Sequence, residues 1–561
     1  MDKFKTLFPL YLEELQALSD FVSTYHVNNN QSGLNSGINS EDPDVLRLLE
    51  SLAFFSARTH DAALRNIIDN RRRLFYELFP FFLSELPDIG ILCASVTGGL
   101  TAPEMLDKGL RFELTTMDSQ SFHFETDHHL YIAPMRISDV RCLPSSAGGS
   151  RLYIDIKTLH PLQRFPDELQ FYLDYTGDVF ASFRLRGYLQ DGIRSAKLLL
   201  NPPGDYLEQD EQDWLELPRP VFGLSAAGLE DDDYLHPIER ERLFFREPRV
   251  ALFWRFDTRE VHSPCTRMRL LIQLESAPPK GVVLNRDIFH LFCVPAVNMK
   301  KDYAAPIHAN GMDSRYPLLP VATNHGFVLF KTLGVYRLLE QGMAPLVPGV
   351  VSDVDGSYEI DMGDIQATVR RPLIYLKFPG AFADDRVVII DGLWLQPGYY
   401  PNRELSCSIR PFTRVMDGVQ WEWMSIPPSH RRPALSRDDG TDSGGMHLDL
   451  LALTHKRFLS FTDVKLVMHA IGPMDHGPFS SFYYAFTGIR HELRSIQGEQ
   501  MAAGYIVYYM AFDWGKVDRL SMLFRVFLEH METVLNHLSL DRRVTLVPDV
   551  DSQTGTRGVA A

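Results

Sequence analysis

A cluster of three histidines and an aspartate is the first group in this sequence whose residue types could do chemistry. His123, Asp127, His128 and His129 are all residues that bind transition metals. Adjacent histidines on a strand point to opposite faces of the sheet, so both cannot ligate one ion from a regular surface. We therefore interpret them as core or surface histidines and predict no metal site.

Three other patterns have simpler structural explanations. Residues 223–228 (GLSAAG) resemble a nucleophile elbow but carry one residue too many before the second glycine. Residues 353–356 (DVDG) resemble the start of a calcium loop, but glycine stands fourth instead of sixth and no glutamate stands twelfth. Both favour tight turns. His530 and His537, seven residues apart, favour the polar edge of a packed helix.

The sequence predicts no enzyme and no cofactor. It contains no GxxxxGK[ST], no GxGxxG after a strand and no HExxH. Cys293 is flanked by Leu291, Phe292 and Val294, which indicates a buried and unreactive thiol. A carbohydrate-active or hydrolytic β protein remains an alternative class, although no spacing identifies a pair of catalytic carboxylates.

Charge and cysteine content indicate which partners and which cellular compartment to expect. The 561 residues include 72 acidic and 56 basic side chains, for a net charge of −16. Such a surface repels phosphate backbones, so we expect no nucleic-acid partner. The five cysteines, at positions 93, 142, 265, 293 and 407, form no CxxC and indicate a reducing compartment. The longest apolar run, residues 501–512, is too short to span a membrane. We expect a cytoplasmic protein.

The elements that must position these residues change character along the chain. Residues 1–88 read as helical, with a polar loop from Asn28 to Ser40 and a second helix capped by Asp42 and started by Pro43. That helix is apolar on more than one face, which favours packing in a bundle with neighbours on more than one side. From about residue 90 the hydrophobic period is two, as expected for strands.

The fold class that follows is α+β. We predict an N-terminal helical bundle segment, then β-rich domains, then a long C-terminal amphipathic helix from Val517 to Leu538. The predicted domains are 1–88, 89–310 and 311–545, with a flexible tail over 546–561.

Several collinear segments resemble the TssF family of type VI secretion baseplate wedge subunits. Residues 42–58 (DPDVLRLLESLAFFSAR) are similar to the family's DPxxxRLLExxAFxxAR, and residues 243–253 (LFFREPRVALF) to its EYFxFPEKFLF. Residues 289–298 (FHLFCVPAVN) resemble FxLNCTPVVNLF, and residues 402–405 (NREL) resemble NRDLP. The similarity runs from about residue 8 to 405, whereas the family's WPRxG ending is absent. The motif positions with a structural role in the family correspond to Asp42, Pro43, Arg47, Pro248, Pro295, Asn298 and Asn402.

The resemblance implies a structural subunit rather than an enzyme. Two copies would join one TssG-like subunit in a wedge around a spike hub, with TssK-like and TssE-like neighbours, and would support sheath and tail-tube assembly. The baseplate would lie in the cytoplasm, docked at the inner membrane, so that membrane contact is indirect. The expected protein interface comprises Leu12, Leu15, Val45, Leu48, Leu49, Leu52, Phe54, Phe55, Leu64, Ile67, Leu74 and Leu78. An alternative is the wedge subunit of another contractile injection system, such as a phage-tail-like particle.

Overall fold

The computed structural model describes most of the chain in segments. These are residues 3–31, 43–115, 121–145, 148–163, 165–202, 214–224, 235–261, 263–279, 281–310, 313, 315–321, 326–349, 356–361, 372–378, 386–396, 408–412, 414–425, 443–472, 477–495, 504–518, 520–539 and 543–549. They fall into two compact units. The first comprises Met1–Pro80 with Gly440–Leu451, and the second comprises Phe81–Asp439 with Ala452–Ala561.

Helices open the chain and recur within its strand-rich part. Those described are α1 (Lys3–Gln31), α2 (Pro43–Leu78), α3 (Pro80–Leu83), α4 (Val179–Gly192), α5 (Pro237–Arg246), α6 (Ser443–Leu453), α7 (Phe461–Ile471), α8 (Ser480–Ala485) and α9 (Met522–Leu538). No described helix is both long enough and apolar enough to cross a membrane.

The strands of the first half of the second unit are short to medium in length. In chain order they are β1 (Ile89–Val96), β2 (Glu104–Leu106), β3 (Arg111–Thr115), β4 (Ser121–Thr126), β5 (Leu130–Ile132), β6 (Met135–Pro144), β7 (Ser150–Leu162), β8 (Glu168–Leu173), β9 (Ile193–Leu200), β10 (Leu215–Leu217), β11 (Val221–Phe222), β12 (Phe253–Asp257), β13 (Cys265–Leu274), β14 (Phe289–Leu291) and β15 (Cys293–Val297).

The remaining strands follow in the same order. They are β16 (Met299–Tyr303), β17 (Ile307–Ala309), β18 (Arg315–Pro317), β19 (Val328–Leu339), β20 (Gly342–Pro345), β21 (Val347–Pro348), β22 (Ser357–Asp361), β23 (Leu373–Lys377), β24 (Arg386–Leu395), β25 (Ser408–Pro411), β26 (Val419–Ser425), β27 (Phe486–Ser495), β28 (Gly504–Phe512) and β29 (Val544–Pro548).

Most strands pair antiparallel in several sheets. The largest described sheet has the order β25-β3-β4-β15-β1-β26, and others run β10-β9-β13-β7-β6 and β11-β12-β8-β14. Two further sheets, β16-β24-β19-β20 with β17 beside β24, and β18-β23-β22-β21, share one core. In that core, Ile374 on β23 packs with Val388 and Ile390 on β24, and Trp394 is fully buried. The alternating runs predicted from the sequence at residues 122–124, 152–156, 169–173, 267–270, 372–378 and 386–395 lie in or overlap β4, β7, β8, β13, β23 and β24.

The mixed class with N-terminal helices and a strand-rich remainder is confirmed, but several details of the prediction are wrong. Helix α1 continues to Gln31 through the start of the predicted loop, because Asn28 to Gln31 contain neither proline nor glycine to end it. Five helices, α4 to α8, interrupt the strand-rich region. The predicted boundary at residue 310 stays a prediction; the largest described sheet contains strands from both sides of it, since β1 pairs with β26.

The last helix also differs from the prediction. It begins at Met522 rather than Val517, and ten of its 17 residues are buried. Phe524 packs against Phe512 of β28 with ring centroids 5.0 Å apart, and Phe527 packs against Phe482 of α8 at 5.2 Å. Residues 546–548, assigned to the tail, lie in β29, which pairs parallel with β28. Residues 550–561 lie outside the described residues.

Candidate protein interface

Helices α1 and α2 pack as an antiparallel hairpin with a narrow seam. Ala53 and Ala57 of α2 are fully buried, and such small side chains allow close approach of the two helices. A polar clamp fixes the register: Ser56 Oγ donates to Glu14 Oε2 at 2.8 Å, and His60 Nδ1 lies 3.4 Å from Glu14 Oε1. The hairpin therefore buries part of its apolar surface and leaves the rest exposed.

Most of the apolar side chains assigned to the interface point to solvent. Leu15, Val45 and Leu49 are half-buried. The exposed ones are Leu12, Leu48, Leu52, Phe54, Phe55, Leu64, Ile67, Leu74 and Leu78. Leu48 is 64% exposed and Phe55 is 62% exposed. Large apolar residues clustered at the surface mark an interaction site, whereas isolated ones do not.

Seven of the nine large apolar residues described as exposed on α2 form two stripes, whereas Leu46 and Phe54 do not lie on the stripe of their half of the helix. The first stripe, in the N-terminal half of the helix, contains Leu48, Leu52 and Phe55, and the second, in the C-terminal half, contains Leu64, Ile67, Leu74 and Leu78. At 3.6 residues per turn their mean directions differ by roughly 110° around the helix axis. One neighbouring helix cannot cover both directions, so the geometry calls for partners on two sides.

Sequence reasoning missed three other exposed apolar residues of the hairpin. Phe8 is 60% exposed, Phe21 is 67% exposed and Leu46 is 46% exposed. The prediction was based on the helical stripe that contains Leu15, which lies on the half-buried face of α1. Apolar residues outside the main stripe of a polar helix were the available signal.

The motif positions of the helical unit are exposed where they are described. Pro43 begins α2, as expected for the first position of a helix. Arg47 pairs with Asp44 at 3.4 Å, but both side chains are about four-fifths exposed, so the pair adds little stability. Asp42 and Asn402 lie outside the described residues.

The motif positions of the second unit hold strands together. Pro295 lies within β15. It occupies a non-hydrogen-bonded position opposite Ile91, where the ladder to β1 needs no N–H. Asn298 is buried; its side chain donates to Gln396 O at 2.8 Å and its backbone N–H donates to Asp88 O at 2.9 Å. Pro248 starts a 3₁₀ turn after α5.

Two buried arginines of α5 attach the segment before β1. Arg242, which is 1% exposed, donates to the carbonyls of Phe81, Ser84 and Ile471 and to Ser84 Oγ. Burial lowers the pKa of Arg242 to about 10, so the side chain remains charged at neutral pH. Arg246 pairs with Asp88. Sequence reasoning missed Arg242, although an arginine on the apolar face of a helix was a signal.

A cleft lies in the second unit between α5, the end of β4 and the β15–β16 segment. Its volume is about 400 Å³. The floor is apolar, with Ile89, Leu243 and Val297, which belong to one core cluster. Lysines and carboxylates form the rim, and burial raises the pKa of Glu125 there despite the 2.8 Å contact of its carboxylate with Arg111.

The histidines singled out in the sequence have structural partners. The ring of His123 stacks on Phe327 at 5.9 Å, and His128 lies 3.5 Å from Asp127 with its pKa lowered, chiefly by burial. His530 stacks on Phe244 and contacts Glu241 at 2.6 Å. Within the described segments no three His, Cys, Asp or Glu side chains are grouped to hold a metal ion. Residues 225–228 and 353–355 lie outside those segments.

The chain is similar to a known protein family and to solved structures. The family model described as "Type VI secretion system, TssF" matches residues 4–338. No curated protein matches the chain. A chain in the cryo-electron microscopy structure of the type VI secretion system TssK-TssF-TssG baseplate subcomplex is similar, with a TM-score of 0.69 and 15% identity over 90% of this chain and 96% of that chain. A chain of the baseplate complex from the type VI secretion system gives a TM-score of 0.55 and 16% identity over 96% of each chain.

At these identities the two structures establish a shared fold. The family model carries the assignment, because it spans more than half of the chain and includes both helices of the hairpin and the buried arginines of α5. This chain belongs to the TssF family of the type VI secretion system.

Proposed function

We propose that this protein is a structural wedge subunit of a type VI secretion baseplate, in which two copies join one TssG-like subunit. The α1–α2 hairpin would be its main assembly surface. The wedge would surround a spike hub, contact TssK-like and TssE-like subunits, and support sheath and tail-tube assembly. It would work on the cytoplasmic side of the inner membrane, without catalytic turnover.

The observation that carries this proposal is the pair of exposed apolar stripes on α2. A hairpin that leaves large side chains such as Phe55 and Leu74 in solvent is incomplete as a monomer. A second copy and a TssG-like subunit supply two partners, which matches the two directions of the stripes. The solved TssK-TssF-TssG subcomplex, whose chain shares this fold, supports the choice of partners.

The acidic surface would speed association with basic partner faces. With a net charge of −16, long-range attraction raises the rate of encounter at low salt and is screened at high salt. We expect the association rate with the TssG-like subunit to fall as ionic strength rises. An association rate that is independent of salt would remove the steering from the proposal and leave the apolar interface in place.

The deciding experiment is the mass of the complex after co-expression with the TssG-like neighbour, measured by light scattering on a sizing column. We expect a stable complex of two copies of this chain with one partner. A monodisperse monomer that does not bind the partner would refute the wedge function. A complex with one copy of each chain would refute the presence of two copies but would leave binding to the TssG-like subunit in place.

A further inference from the structure

Cys93 and Cys293 face each other directly across two paired strands. Cys93 is on β1 and Cys293 is its partner on β15 in the antiparallel register. Both are buried, with exposed fractions of 6% and 2%. Each thiol lies within hydrogen-bonding distance of the same acceptor, Leu291 O, at 3.3 Å for Cys93 Sγ and 3.7 Å for Cys293 Sγ. The two sulfur atoms therefore point into one space.

The ladder places this pair at a non-hydrogen-bonded position. Ala94 N donates to Phe292 O and Asn298 N donates to Asp88 O, which identifies the even-numbered residues of β1 as the hydrogen-bonded ones. The odd-numbered pairs, including Cys93 with Cys293, come closest, with Cα atoms about 4.5 Å apart. This separation lies within the range that a disulfide accepts.

We propose that Cys93 and Cys293 are a redox modification site, at which a small peroxide converts the two thiols to a cross-strand disulfide. One thiolate attacks the peroxide, which gives a sulfenic acid and releases hydroxide. The second thiol then attacks the sulfenic sulfur, so that the S–S bond forms and water leaves. The two thiols are oxidised by two electrons and the peroxide is reduced by two. This goes beyond the proposed function and does not depend on it.

Access for a small oxidant comes from the cleft. Side chains on β1 and β15 alternate between two faces, so Ile89, Val297 and Pro295, which line the cleft, share a face with the cysteine pair. Pro295 is two residues from Cys293, about 7 Å along the strand. Peroxide is small enough to cover that distance when the strands fluctuate, whereas a glutathione-sized oxidant is too large.

Burial makes the reaction slow and dependent on pH. The pKa of the Cys293 thiol is raised, chiefly by burial and then by the neighbouring Cys93 thiol, so little thiolate is present at neutral pH. Below that pKa the thiolate fraction increases about tenfold for each pH unit. The rate of disulfide formation is expected to increase by the same factor.

The test treats the full-length protein with hydrogen peroxide. Free thiols are then alkylated and the digest is examined by mass spectrometry. We expect a peptide pair joined between Cys93 and Cys293, lighter by two hydrogen atoms, whose yield increases with pH. The matched control is Cys265→Ser, because Cys265 is equally buried but faces Leu162 across its strand pair.

Each outcome is decisive. Loss of the linked peptide in Cys93→Ser and in Cys293→Ser, with the Cys265→Ser protein unchanged, supports the site. Recovery of both cysteines as alkylated thiols after peroxide treatment of the folded protein overturns it. A linked peptide that forms only in denaturant overturns it as well, because the native strands would then not bring the two sulfur atoms together.

Discussion

Replacement of Phe55 by alanine tests the interface without disturbing the fold. The side chain is 62% exposed, so about 120 Å² of its aromatic surface is accessible to solvent and could be buried by a partner. At 25 cal/mol per Å², burial of that surface contributes about 3 kcal/mol to association. The dissociation constant for the TssG-like subunit should therefore increase roughly 100-fold in Phe55→Ala.

The assay is a binding isotherm between purified protein and partner, with the melting temperature of each variant measured in parallel. The melting temperature of the unbound variant should stay within a few degrees of the parent, because Phe55 is largely exposed and its ring meets Phe54 edge-on, with centroids 5.9 Å apart. Leu49→Ala would be a poorer choice, since Leu49 is half-buried and its loss mixes folding with binding.

A matched control separates this surface from exposed apolar residues in general. Leu520, in the second unit, is 77% exposed, and Leu520→Ala should leave the dissociation constant unchanged. A change of less than threefold in Phe55→Ala would refute the assignment of the first stripe. Equal weakening in both variants would show that the apolar exposure of α2 has no specific role.

Three further predictions concern the second unit. Arg242→Met removes hydrogen bonds to four buried acceptors and should lower the free energy of unfolding by about 3–5 kcal/mol in urea titrations; an unchanged midpoint would contradict the network. Gly418→Ala should lower the free energy of unfolding by more than about 2 kcal/mol, because at φ +78° a Cβ atom would lie 2.3 Å from a backbone nitrogen. Gly109→Ala, at φ +88° but in open space, should lower it by about 1 kcal/mol. Burial lowers the pKa of His128 below 6.5, so the unfolded chain takes up this proton first and stability should fall as pH drops through 6.5. His128→Gln should flatten that fall in denaturation series at several pH values, and an unchanged slope would contradict it.

Much of the candidate interface was predictable because it depends on local sequence. The surplus of apolar residues on α2 is a property of 36 consecutive residues, and the helical period alone shows that one neighbour cannot cover them. The structure shows in addition which of these apolar residues are partly buried within the hairpin. Leu15 and Leu49 are half-buried, whereas Leu48 and Phe55 are left for partners.

Strand pairing was not predictable in the same way. The period of two identified the alternating runs that became β4, β7 and β13, but nothing local indicates that β1 lies between β15 and β26, more than 300 residues away in the second case. Helix α9 shows a related failure. Its apolar residues predicted a stripe along one side, but only the assembled fold shows that α8 and β28 pack against it.

By itself the sequence determined the class of the protein, its helical start, its strand-rich remainder and the family motifs, because each depends on residue types within a few turns or strands. The tertiary structure decided which side chains meet. Arg242 reaches carbonyls more than 150 residues away, and Cys93 faces Cys293 across 200 residues of chain. Such contacts are set by the packing of whole elements, whose free energy is shared among many residues and leaves no local pattern to read.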